Sequence, residues 1–207
     1  MLAAEVSARA RRELGVEISF GDVLAHPSAA ALALFMASAE PSRPAIVAGP
    51  TGAVAPASFA QQSLWVLDQM EGPSAAYNEP IARRLHGTVQ VEALQSALGD
   101  VVERHQVLRS VLQLQGDEIV QQLRTGDQTR PALSEITVAS DDLRAAMQRF
   151  ALVPFDLTDD LLVRAVLFHV GPEEHVLLLV LHHIVCDGLS QVPLLRDLAT
   201  AYRARMS

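Results

Sequence analysis

At 207 residues, half of them hydrophobic and 19% charged, the chain has the length and composition of one or two globular domains with a sizeable core. A formal net charge of −8 argues against nucleic acid or an anionic membrane as the main partner, and the apolar run from Val176 to Leu181 is far too short to span a bilayer. A single cysteine excludes an internal disulfide and any cysteine-rich metal site.

Leu2, Val6, Ala10 and Leu14 fall on one face of a helix that Gly15 ends. A turn over Ile18 to Val23 then leads to His26-Pro27-Ser28, where Ser28 caps a second helix to about Ala37, with Leu32 and Phe35 inward. Two such short helices are too little to fold alone. From Glu40 to Pro56, prolines and glycines crowd a stretch without periodicity, which predicts a semi-stiff tether and a domain boundary. Ser58 and Gln61 have capping-box spacing and open a helix through Leu64, Leu67 and Met70 to Gly72.

Ile81 to Leu85 reads as a strand, and Leu94, Leu98, Val101 and His105 have helical spacing. On that face His105 is expected to be a buried, hydrogen-bonded core histidine rather than a catalytic one. Leu108 to Leu114 and Glu118 to Leu123 form a hairpin around Gln115-Gly116-Asp117, followed by a short strand at Ile136 to Val138. Ser140 is expected to cap a helix from Asp141 to about Ala151. Leu161 to Phe168 and His175 to Leu181 read as a second hairpin around Gly171-Pro172, apolar at nearly every position and so covered on both faces. A last helix, Gln191 to Met206, puts Leu194, Leu195, Leu198 and Tyr202 on one side, with Pro193 in the first turn, where no helical donor is lost. No repeats and no Gly-rich phosphate loop are present.

The residues with chemistry lie between that last strand and helix, in His182-His183-Ile184-Val185-Cys186-Asp187-Gly188. Adjacent strand residues point to opposite faces, so His182 and His183 do not share one target: one can face a substrate channel while the other packs inward. The same divergence, with no further ligand cluster in the sequence, argues against a metal hydrolase built on His182, His183 and Asp187. Cys186 has histidines nearby, as a thioesterase nucleophile would, but its small size and loop position explain it better. Without catalysis, the segment reads as a packed histidine pair beside a helix-capping aspartate. A buried aspartate needs a cationic partner, which makes Arg104 and Arg109 of interest.

His182-His183-Ile184-Val185-Cys186-Asp187-Gly188 resembles the HHxxxDG signature of the condensation domains of nonribosomal peptide synthetases, shared with chloramphenicol acetyltransferase and its relatives. Ser58-Phe59-Ala60-Gln61-Gln62-Ser63-Leu64-Trp65 is similar to that family's SxAQxRLW, with Ser63 in place of the arginine. Arg104-His105-Gln106-Val107-Leu108-Arg109-Ser110 is similar to RHExLRT, and Pro154-Phe155-Asp156-Leu157 to a PFDL segment. Tyr77-Asn78 also follows the family, whereas Gln90 replaces its usual aspartate N-cap and Leu189 the tryptophan common after DG. Leu2-Ala3-Ala4, Leu14-Gly15-Val16 and His26-Pro27-Ser28 resemble the last third of a peptidyl carrier domain.

The resemblance implies three parts: a C-terminal carrier remnant at 1–39, a Pro/Gly-rich linker at 40–56 and the N-terminal lobe of a condensation domain at 57–207. The implied fold is α/β, a chloramphenicol acetyltransferase-like lobe with a mixed, largely antiparallel sheet and helices packed on it. The implied reaction is attack by an amine on a downstream carrier upon the thioester of an upstream carrier, forming a peptide bond. His183 then matches the base or positioning residue, Gly188 keeps the tunnel wall open and offers a backbone N–H to the oxyanion, and Asp187 holds the loop by pairing with an arginine, Arg109 first. His182 and Arg104 complete the structural motif. The implied cofactor is 4′-phosphopantetheine on the carriers, whose attachment serine is absent from this sequence; no metal is implied.

The implied partners are the upstream and downstream peptidyl carrier domains, the C-terminal lobe of the condensation domain and a neighbouring adenylation domain, with no nucleic acid and no membrane. With no signal-peptide pattern at the N-terminus, the expected setting is cytoplasmic. By itself the 207-residue chain is expected to be neither an active condensation enzyme nor a modifiable carrier. The rival readings are a non-catalytic condensation-like module that recruits carriers or partner enzymes and a coenzyme A-dependent acyltransferase sharing the motif.

Overall fold

The computed structural model describes residues 2–44, 52 and 54–206, and the chain divides into two compact units, Met1–Thr51 and Gly52–Ser207. In the first unit α1 (Leu2–Arg9) runs into wider helical turns over Ala10–Leu14, which end at Gly15 in the left-handed region (φ 68°). There glycine carries no Cβ penalty. Against the expectation of a turn, Phe20–Ala25 forms a helix, α2. Its signal is a capping box: the Ser19 hydroxyl accepts from Asp22 N–H, and the Asp22 carboxylate accepts from Ser19 N–H. Ser28 caps α3 (Ala29–Met36) by accepting from Ala31 N–H, and Phe35 stacks on His26 at 4.5 Å.

Of the expected linker, residues 45–51 and 53 lie outside the described residues, and Glu40 to Arg43 bond to the first unit. Glu17 N–H donates to Glu40 O, Ser42 N–H to Gly15 O, and the Glu17 carboxylate pairs with Arg11 and with Arg43. The two guanidiniums, Arg11 first, hold the Glu17 carboxyl down at about 2. Among the described residues of this unit only Ala10 and Ile18 are buried hydrophobics, while Leu2, Leu14, Phe20, Leu24 and Leu34 are exposed.

The other end of the expected linker is also ordered. β1 (Val54–Pro56) pairs antiparallel with a later strand, at a sheet edge where a proline costs no central ladder bond. The Ser58–Gln61 capping box forms as expected and opens α4 (Phe59–Glu71). β2 (Asn78–His86) follows, longer at both ends than expected, then α5 (Val91–Arg104). The hairpin β3 (Ser110–Gln115) and β4 (Glu118–Leu123) joins β1 in a three-stranded sheet of order β1-β4-β3.

β5 (Leu133–Thr137) and α6 (Leu143–Ala151) lead to the hairpin β6 (Val163–Gly171) and β7 (Glu174–His182), and α7 (Gln191–Met206) ends the chain. Ser140 does not cap α6. It starts a tighter turn, Ser140–Asp142, whose Asp142 N–H is taken by Ala139 O.

The four-stranded sheet has the order β2-β7-β6-β5, antiparallel except for β5 beside β6. Parallel neighbours need a crossover connection, and α6 lies in it. The α/β fold with a mixed, largely antiparallel sheet is the one expected. β7 is central, and every residue from His175 to His182 is buried. Leu177 lies beside Leu94 of α5 and Leu195 and Leu198 of α7, Leu181 beside Leu108 and beside Leu194 of α7, and His182 beside Leu64 and Leu67 of α4. Each such buried leucine contributes about 1.5–3 kcal/mol relative to exposure. Gln90 makes no side-chain cap for α5, yet its own N–H donates to the Tyr202 hydroxyl of α7 at 3.0 Å, so a neighbouring helix supplies the acceptor.

Candidate active site

β7 delivers the two histidines to its end, and the pleat separates them. His182 N–H donates across to Leu162 O on one side, and His183 N–H donates to Tyr77 O on the other, at 3.1 and 2.8 Å. The His182 ring is 3% exposed, with Phe155 edge-on to it and Tyr77 tilted beside it. Its Nδ1 accepts from Ile184 N–H at 3.1 Å, so the ring is neutral with its proton on Nε2. Burial, with the His183 charge second, pushes the His182 pKa down to about 4. His183 instead is exposed, its side chain 43% accessible, with Nδ1 3.3 Å from Oε1 of Glu79 on β2.

The loop beyond is held from beneath. Ile184, Val185 and Cys186 are buried, Val185 N–H donates to His182 O, and Gln61 Nε2 reaches both Ile184 O and Gln121 Oε1. The first cap of α4 is thus tied to the histidine loop by the glutamine that also completes its capping box. Asn78 in turn donates to Ala151 O and Val153 O, which fixes the start of β2 beside the site.

Cys186 points inward, its thiol 3.6 Å from His182 O. Burial first, then the Glu79 and Asp187 charges, push that thiol up to about 12. A protonated, buried thiol is no nucleophile. Cys186→Ala in the parent synthetase is therefore expected to keep most of its activity. Mass-spectrometric trapping of an acyl group on Cys186 would overturn this.

Asp187 requires a correction. It is exposed and pairs with neither Arg109 nor Arg104. Its Oδ1 accepts from the Ser190 hydroxyl and Ser190 N–H, at 2.6 and 2.9 Å, and Ser190 Oγ accepts from Asp187 N–H. Ser190 O then accepts from Leu194 N–H in the first turn of α7. The aspartate thus closes the turn that starts the helix, a local bond set that outcompetes a distant guanidinium. The Ser190 hydroxyl first, then its N–H, hold the Asp187 carboxyl below the usual range. That stabilisation is present above the ordinary carboxylate pKa and is lost as pH falls through the lowered value. Asp187→Ala is expected to lower the melting temperature by a few degrees at most. A collapse in soluble yield would show a buried partner after all.

The two arginines are engaged elsewhere. Arg104 is exposed and pairs with Asp197 at 3.2 Å, and Arg109 Nη1 donates to Arg124 O at 3.0 Å. His105 is hydrogen-bonded as expected but not in the core. It is the C-cap of α5, extended rather than helical, a third exposed, with Nε2 3.0 Å from Asp197. Gly188 is exposed and outside the left-handed region, and a Cβ built there meets no atom within 4 Å. Among the described residues nothing crowds it. Nothing in the sequence singles out Glu79, because only the β2–β7 register brings it to His183.

A chloramphenicol acetyltransferase-like α/β lobe, with an exposed imidazole at the end of its central strand, is the class defined by this arrangement. Residues 52–207 match the family model of the condensation domain. The chain is 47% identical over 207 residues to a probable non-canonical nonribosomal peptide synthetase, CymA, of Salinispora arenicola, covering 99% of this chain and 3% of that protein. Among solved structures, the X-domain in its complex with OxyB from teicoplanin biosynthesis superposes with a TM-score of 0.73 at 32% identity, over 80% of this chain and 36% of that one. The first condensation domain of the CDA synthetase shares the fold, with a TM-score of 0.67 at 22% identity, over 74% of this chain and 41% of that one. The chain belongs to the condensation-domain family of nonribosomal peptide synthetases, an acyltransferase-type family, and spans a small part of the length of the synthetases it matches.

Proposed function

We propose that this chain supplies the histidine-bearing lobe of a domain that joins two carrier-bound groups through a peptide bond. The observation that carries the reading is the opposite fate of adjacent histidines: His182 is buried and neutral, while His183 is exposed at the strand end with a carboxylate at its Nδ1. The amine nitrogen of the downstream aminoacyl group forms the new C–N bond at the thioester carbon, and the carbonyl electron pair moves onto oxygen. His183 orients the amine or takes its proton, and collapse of the intermediate expels the donor thiolate, which recovers that proton.

An α-amino group, with an ordinary pKa near 8, is about one-tenth neutral at pH 7, so the demand on the base is modest. Both substrates arrive on 4′-phosphopantetheine arms of carrier domains. A second lobe would close the opposite side and exclude water, and an adenylation domain would load the acceptor carrier. Residues 1–39 are read as the end of a carrier domain, on the resemblance of its motifs and on the relative's alignment over 99% of this chain.

A second reading follows from the X-domain neighbour, which was solved bound to another protein: a lobe of this fold that recruits a partner without catalysing. The test is an assay in the parent synthetase with a thioester-loaded donor carrier and an aminoacyl acceptor carrier. A peptidyl thioester on the acceptor supports condensation. No product, with both carriers shown to be loaded, refutes it and favours recruitment.

A further inference from the structure

We propose that Glu79 is a positioning residue for His183, fixing its ring with the proton on Nδ1 and the lone pair on Nε2. This rests on the reading of His183 as the group that meets the amine. Nδ1 lies 3.3 Å from Glu79 Oε1. A carboxylate only accepts hydrogen bonds, and a neutral imidazole has one N–H and one lone pair. The field of the carboxylate therefore favours the tautomer with the proton on the nitrogen that faces it, which leaves the nitrogen on the far edge of the ring bare to receive one. A carboxylate at the inner nitrogen is the general means of fixing the tautomer of a histidine base.

The placement is built into the sheet. Asn78 pairs with His182 and Glu79 with Leu181 in the β2–β7 ladder, and the backbone carbonyl of Tyr77, just before β2, accepts His183 N–H at 2.8 Å. The segment that anchors the backbone of His183 thus also carries the carboxylate that meets its ring. No close packing fixes the ring instead, since the two side chains are 43% and 39% exposed. The other ionisable groups at the loop do not compete for Nδ1: Asp187 is engaged with Ser190, His182 is buried and neutral, and the Cys186 thiol points to a backbone carbonyl.

Nitrogen-15 NMR of the histidine-labelled chain, with His183 assigned by its loss in His183→Ala, reads the tautomer without any activity. The expected spectrum shows Nδ1 as the N–H nitrogen and Nε2 as the bare one. Glu79→Ala shifts His183 toward the Nε2–H form, and Glu79→Gln, whose amide oxygen still accepts, restores the original form. A wild-type ring already in the Nε2–H form, or one unchanged in Glu79→Ala, overturns the inference.

In the parent synthetase, Glu79→Ala is expected to slow single-turnover condensation by about 100-fold at saturating carriers, with apparent KM unchanged and Glu79→Gln recovering most of the rate. If Glu79→Ala condenses at the full rate while His183→Ala is inactive, the positioning role fails and the reading of His183 stands. If His183→Ala itself condenses at the full rate, the reading fails and takes the inference with it.

Discussion

Alanine at His183 in the parent synthetase is expected to lower peptide-bond formation by roughly 10²–10⁴-fold, the range contributed by a positioned acid–base group, without lowering thermal stability. The reason for the second half is geometric. The side chain is exposed, and the tie that holds the residue is its backbone N–H to Tyr77 O, which alanine retains. The contact with Glu79 is solvent-screened on both sides, and exposed contacts of this kind contribute about 0–1 kcal/mol. Loading of both carriers should be normal, so the block should appear as accumulation of unreacted donor thioester beside a charged acceptor. A variant that melts many degrees lower, or that condenses at the wild-type rate, would show that the exposed histidine is not the working one.

The neighbouring substitution should fail in the opposite way. His182→Ala removes a ring buried against Phe155 and Tyr77 and leaves Ile184 N–H without its acceptor. A cavity plus an orphaned buried donor costs roughly 2–4 kcal/mol, a fall in melting temperature on the order of 10 °C for a unit of this size. The same histidine gives the lobe an acid limb. Its pKa is about 4 in the folded chain, whereas the unfolded chain takes up that proton below about 6.5. Between those values the unfolded state binds more protons, so stability is undiminished above the higher value and declines as pH falls toward the lower one. The full swing is on the order of 3 kcal/mol. Urea midpoints for wild type and His182→Asn, compared between pH about 7.5 and about 5, should diverge as the wild type alone loses stability through this group. Parallel curves would mean that His182 titrates normally and is not sealed from water.

Much of this lobe is legible residue by residue because the relevant forces act over a few positions. The apolar run of β7 announces a strand covered on both faces, and β7 is central. Ser58 and Gln61 announce a helix start three residues wide, and both reciprocal bonds form. Ser19 and Asp22 carry the same signal, yet the helix they open, six residues long, is too short for periodicity to show. Val54–Pro56 misleads for a related reason: a proline- and glycine-rich stretch lacks any pattern of its own, and its pairing is decided by the free edge of β4.

The sequence by itself determined that two adjacent histidines at a strand end must part company, since the alternation of a pleated strand allows nothing else. It also determined the helix that follows them. Only the tertiary structure decided which histidine is sealed and which is open, because that depends on where α4 and Phe155 lie over the sheet. It decided that Asp187 turns to Ser190, three residues away, rather than to Arg109. And it decided that Glu79 stands at His183. That contact joins residues far apart in the chain through the register of β2 on β7, and a register shift of one residue would send the carboxylate to the other face.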